Sequence, residues 1–206
     1  MVHRPRGSRA WLRTTTAVVA TVVLAACGGS GGDDRDDEQV SVAEARSALQ
    51  VAQAPEDGTF DAGTFRFSRA FDAGSAPEDG RLASYSWDIA YHLNSGGLGS
   101  WSAGLDVFDA PDAALESARK VSGRWPCKGE PVPIDDLAGD HVDYLDASYC
   151  KKLSAEGFVA QLSTADGPVT VNLTVGGTSP ETTSAALAAV WGSLSDVTRA
   201  ASASLD

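Results

Sequence analysis

The chain has 206 residues, 43% of them hydrophobic, with 28 acidic against 16 basic side chains and a formal net charge of −12. Nucleic-acid binding relies on Lys and Arg to neutralise phosphates, and a surface of this sign repels a phosphate backbone, so that class of function is excluded. The length suits one domain with a core of its own.

The basic residues are unevenly placed. Residues 1–26 hold Arg4, Arg6, Arg9 and Arg13 and no acid, and the run from Ala17 to Ala26 is small and apolar. A basic start, a short apolar stretch and a small-residue cleavage site are the layout of an export signal. The stretch from Thr14 to Ala26 is too short to span a bilayer, which takes about 20 apolar residues. Leu24-Ala25-Ala26-Cys27 closes the signal and resembles a bacterial lipobox, which implies diacylglyceryl attachment to the Cys27 sulfur and cleavage before it. The alternative is an ordinary secretory signal in which Cys27 is incidental. Removing the signal takes four of the 16 basic residues and none of the 28 acids, leaving a net formal charge of −16. Docking on anionic lipid through charge is thereby disfavoured, and attachment to the membrane rests on the acyl chains on Cys27. The expected location is the cell membrane, lipid-anchored on the extracytoplasmic face.

Residues 27–39 follow as a Gly/Ser run and then Asp33, Asp34, Asp36, Asp37 and Glu38, a self-repelling flexible tether rather than a cation site. The remainder, residues 40–206, reads as a single extracytoplasmic domain. Ser41-Val42-Ala43-Glu44 fits a capping box, and Val42, Ala45, Leu49 and Ala52 recur at helical spacing until Pro55 and the Glu56-Asp57-Gly58 turn. Phe65, Phe67 and Phe71 mark an extended segment. Tyr85, Trp87, Ile89, Tyr91 and Leu93 alternate with polar or small residues as a strand with one buried face, and Trp101 to Val107 alternate as its partner beyond a glycine-rich turn. Asp109-Ala110-Pro111-Asp112 predicts an N-cap and a helix running to about Ser122.

A proline-rich loop leads past Asp135, Asp136 and Asp140 to one or two short strands over Val142 to Lys151. Phe158 to Thr164 and Val169 to Val175 then pair as a hairpin across Ala165-Asp166-Gly167-Pro168. Ser179 caps a last helix with the stripe Leu187, Val190, Trp191, Leu194 and Val197, and the tail from Ala200 is expected to fray. Cys127 and Cys150 form an even pair in an exported chain and are read as a disulfide. It would close a loop of about 24 residues, worth roughly 3 kcal/mol in the chain-entropy picture. A two-thiolate metal site lacks nearby partners other than His141. The predicted fold class is α+β: an antiparallel β-sheet with helices packed on one face and one disulfide.

The stretch from about Trp101 to Val197 resembles the extracellular sensor domain of PknH-type actinobacterial kinases and its lipoprotein relatives. The resemblance lies in the strand Gly104 to Phe108, the proline- and alanine-led helix ending in Trp125-Pro126-Cys127, and Cys150 before a strongly alternating hairpin and an alanine-rich helix. Members commonly carry a second disulfide, for which this chain has no cysteines. The resemblance implies a sheet-and-helix domain with a cleft for an extracytoplasmic ligand and supplies no catalytic residues. No kinase segment accompanies it, so a stand-alone binder is expected.

Motifs for chemistry are sparse. His141 among Asp135, Asp136, Asp140 and Asp143 has the residue types of a divalent-cation site, but such loops beside proline are ordinarily solvated, and neither a metal nor another cofactor is expected. His92 falls on the polar face of its strand with no nucleophile in view. Ser117-Ala118-Arg119-Lys120 and Ser148-Tyr149-Cys150-Lys151 match Ser-x-x-Lys, yet the companion Ser-Asp-Asn and Lys-Thr-Gly motifs of acyl-transfer enzymes are missing from the sequence. Trp87 and Trp191 share the apolar faces of their elements, which leaves Trp125, beside Pro126, as the tryptophan best placed to border a cleft. Trp125 and His141 are thus the candidate ligand-binding residues. The function expected is a non-enzymatic, sensor-like binding lipoprotein of the cell envelope for a small molecule, lipid or envelope protein. The alternatives are a cell-wall-associated enzyme and a structural partner in an envelope complex.

Overall fold

A computed structural model describes residues 39–51, 55–72, 74–76, 79–125, 137, 142–151 and 157–205. In chain order the elements are α1 (Val42–Val51), β1 (Gly58–Phe60), β2 (Gly63–Asp72), β3 (Arg81–Leu93), β4 (Leu98–Phe108), α2 (Pro111–Gly123), β5 (Tyr144–Lys151), β6 (Phe158–Asp166), β7 (Val169–Gly177) and α3 (Pro180–Ala203). Every strand pairs antiparallel with its neighbours, in the order β1-β2-β3-β4-β7-β6-β5. Two meanders, β1 to β4 and β5 to β7, thus lie side by side, with α2 as the connection that lets β7 add beside β4. The α+β class and the antiparallel sheet expected from the alternating runs are what the chain adopts.

Directly opposed residues in an antiparallel pair share a face of the sheet, so the register sorts the side chains. Trp87, Ala103, Leu173 and Leu162 form one such row across β3, β4, β7 and β6, and all four are buried. They belong to the main core together with Leu187, Val190, Trp191 and Leu194 of α3 and Ala45 of α1. Around the core's edge, Tyr91 stacks on Trp101 at 4.4 Å between ring centroids, and the indole nitrogen of Trp101 donates to the Gly176 carbonyl at 3.0 Å. The Trp191 indole nitrogen donates to the Leu137 carbonyl at 2.7 Å, so the loop touches the core through a tryptophan that would otherwise bury an unpaired N–H.

The next row along the strands, Ser86, Gly104, Asn172 and Ser163, faces the other way. There the Ser163 hydroxyl donates to the Ala118 carbonyl of α2 at 3.2 Å. The helices therefore do not all pack on one face as the sequence led us to expect. α1 and α3 share one face and α2 covers β6 and β7 on the opposite one. The reason is legible in the side chains: the polar rows of β6 and β7 are small (Ser163, Ala165, Thr170) and buried, and α2 presents the fully buried Ala114 and Ala118 to them.

Local differences are instructive. The capping box of α1 is reciprocal: Ser41 N–H donates to Glu44 Oε2 at 2.8 Å and Glu44 N–H to Ser41 Oγ at 3.3 Å. The N-cap of α2 is Ala110, not Asp109, and it makes no side-chain cap hydrogen bond; Pro111 holds the first turn. Gly58, expected to end a turn, instead opens the edge strand β1, and Gly58–Phe60 pair with Phe65, Thr64 and Gly63. The predicted fraying after Ala200 does not occur. Ala201 and Ser202 are buried, and the Ser202 hydroxyl donates to the Asp166 carbonyl at 3.2 Å. Gly167 accommodates this approach. Its φ is +53°, and a β-carbon there would lie 3.1 Å from Ser202 Oγ. Residues 1–38, which hold the expected signal (1–26) and all but the last residue of the expected tether (27–39), lie outside the described residues, as do Cys127, His141 and the side chain of Cys150, so the disulfide is not part of the fold described. Among the described residues, no helix is long and apolar enough to cross a membrane.

Candidate functional site

On the α1 face, the sheet is wider than the two helices that cover it, and a cavity of about 460 Å³ opens between α1 and the β2–β3–β4 end of the sheet. Its floor comes from Leu49 of α1, Leu82, Tyr85 and Trp87 of β3, and Leu105 of β4. A register shift between Arg81 and Ala83 helps to bring Leu82 to this face. Tyr85 and Trp87 project on the same side of β3 and meet edge to face at 5.3 Å, a favoured arrangement for paired rings. Exposed Arg46, Gln50, Asp72 and Ser75 border the mouth. Arg46, Leu49 and Gln50 fall at i, i+3 and i+4, so one helix face delivers both cation and wall. Asp72 lies directly opposite Tyr85 in the β2–β3 register, and its Oδ1 accepts the Gly74 N–H at 2.7 Å. Apolar walls with a few convergent polar groups are the usual form of a small-molecule site.

A second concavity, of about 540 Å³, runs between α2 and the ends of β3 and β4 and is polar. Its base holds Asp106, 3.5 Å from Arg81 Nη1, with side chains 13% and 32% exposed. Burial pushes the Asp106 carboxyl above its usual range, against the opposing pull of a hydrogen bond to Ser84 and of the Arg81 charge. Among the described residues, Arg81 Nε and the hydroxyl of fully buried Thr170 have no hydrogen-bond partner. Ser117 and Lys120 both line this groove. Ser117 lies in the middle of α2, away from the N-terminal amides an acyl-transfer serine uses, and Lys120 is 3.9 Å from Asp79 as an ion pair.

Of the residues singled out from sequence as lipidation, disulfide or ligand-binding sites, Trp125 alone has a described side chain. Trp125 follows α2, is half-buried and borders neither cavity. His141, Cys27 and Cys127 lie outside the described residues, and Cys150 is placed only as the β5 residue opposite Val159. Asp143, grouped with His141 by proximity in sequence, accepts the Gly167 N–H at 2.9 Å and so braces the β6–β7 turn. His92 is exposed, paired in register with Thr64 and Leu98. Among the described residues no group of three His, Cys, Asp or Glu side chains is disposed to hold a metal.

Sequence reasoning missed Arg46, Asp72 and Tyr85 as site residues. The helical spacing of Arg46 with Leu49 was visible, whereas the opposition of Asp72 to Tyr85 depends on a register that alternation alone does not set. The chain matches no known family model, no curated protein and no solved structure.

Proposed function

We propose that this chain is a lipid-anchored extracytoplasmic binding protein of the cell envelope, held by acyl chains on Cys27 and binding a small molecule without turning it over. The observation that carries the reading is the cavity between α1 and the sheet, whose floor is leucine and aromatic side chains and whose described charged groups, Arg46 and Asp72, stand at the mouth. Its volume falls within the range of small-ligand sites, roughly 300–1,000 Å³. A sensor-like domain similar to those of PknH-type kinases, with a cleft for an extracytoplasmic ligand, agrees with such a site.

A neutral apolar dye, N-phenyl-1-naphthylamine, tests it. Titration into the full chain carrying Cys27→Ser is expected to give saturable fluorescence enhancement at one dye per chain. Leu49→Trp, which fills the cavity from α1, should weaken that binding at least tenfold with the far-UV circular dichroism unchanged. Enhancement that does not saturate, or that Leu49→Trp leaves intact, would contradict the assignment.

A further inference from the structure

Among the described residues the mouth of the cavity carries one charge of each sign, and that narrows the ligand, taking the binding reading as given. Asp72 and Tyr85 oppose each other across β2 and β3, and Trp87 meets Tyr85 edge on. A carboxylate beside paired aromatic rings is the arrangement that recognises an ammonium group, by charge and by the negative face of the rings. Asp72 is held by its bond from Gly74 N–H, so it is oriented rather than swinging freely.

Arg46 lies across the mouth on α1. Among the described residues it pairs with no carboxylate, as is also true of Arg119 and Arg124, whereas Arg66, Arg81, Lys120 and Arg199 all do, and of the three unpaired arginines it is the one that lines this cavity. In a chain with 28 acids against 16 basic residues, an arginine with no carboxylate partner among the described residues, at the mouth of this cavity, is available to an anion. Guanidinium groups bind carboxylate and phosphate in a planar fork.

We propose that the cavity takes a zwitterionic amphiphile: its alkyl or aromatic body lies on Leu49, Leu82 and Leu105, its ammonium group sits between Asp72 and the Tyr85 ring, and its carboxylate or phosphate meets Arg46. An anionic amphiphile on Arg46 would leave Asp72 without a partner, and a cationic one on Asp72 would leave Arg46 without one. Only a ligand with both charges satisfies the two sides, and the mismatched charge supplies the discrimination.

Three ligands with one chain length separate the possibilities: N-octyl-N,N-dimethylglycine, octanoate and octyltrimethylammonium, each titrated calorimetrically below micelle formation into the full chain carrying Cys27→Ser. The zwitterion is expected to bind at one site at least tenfold more tightly than either other ligand. Arg46→Gln should lower it to the affinity of octyltrimethylammonium, and Asp72→Asn to that of octanoate. Both positions are exposed, so both variants should keep the parent melting temperature. Equal affinity for all three, or a zwitterion advantage that survives both substitutions, would overturn this assignment and leave the cavity as a general apolar site. Failure of all three to bind would overturn the cavity reading itself.

Discussion

Asp106 shows what burial does to a single ionisable side chain in this fold. Its carboxyl is raised by desolvation more than Ser84 and Arg81 lower it, so the folded chain binds a proton there at pH values where the unfolded chain has lost it. The sign follows directly. The folded pKa lies above the unfolded one, so the contribution of Asp106 to stability is greatest at low pH and diminishes as pH rises through the folded value. Asp106→Asn removes this titration while keeping a group able to accept from Ser84. Melting temperatures of the two proteins, followed from pH 7 down to about 4.5, should diverge in favour of the parent as pH falls. A gap that stays constant with pH would show that the carboxyl is not raised. None of this was legible in the sequence: Asp106 sits on the polar side of an alternating strand and reads as solvated. It becomes buried because α2 crosses to that side, and the alternation of β4 holds no information about which face a distant helix will choose.

Elements were easier to anticipate where a local signal agreed with burial. The capping box of α1, the alternation of β3 and β4, the β6–β7 hairpin and the stripe of α3 all formed because local preference and tertiary packing point the same way. The end of α3 did not. Small polar residues after Ala200 lack any helical signal of their own, but they fit against the β6–β7 turn where larger side chains would not. Deleting residues 201–206 removes the buried Ala201 methyl and the hydrogen bond from Ser202 to Asp166. These two, and the half-buried Leu205 side chain packed against the core, are each worth about 1 kcal/mol, so a loss of about 3 kcal/mol in denaturant unfolding is expected. No change in stability would mean that the last turn frays in solution after all. The strand β1 escaped notice for a related reason. Three residues carry too little pattern, and Gly58–Phe60 extends because β2 offers it an open edge.

At the scale of the whole molecule, the proposed location rests on a sequence motif and the proposed site does not. The signal and Cys27 are contiguous motifs, whereas the cavity draws on α1, β2, β3 and β4 and exists only once the strands are in register. Trp125, read as bordering a cleft from its nearness to Pro126 and Cys127 in sequence, does not line this opening, which lies at Tyr85 and Trp87. The central claim is that this opening holds a ligand. Native mass spectrometry of the exported chain carrying Cys27→Ser, purified gently, tests it most directly, with Leu49→Trp beside it. The account predicts one extra mass on the first protein, released by denaturation and missing from the second. An unliganded mass for both, or the same adduct retained by Leu49→Trp, would contradict it.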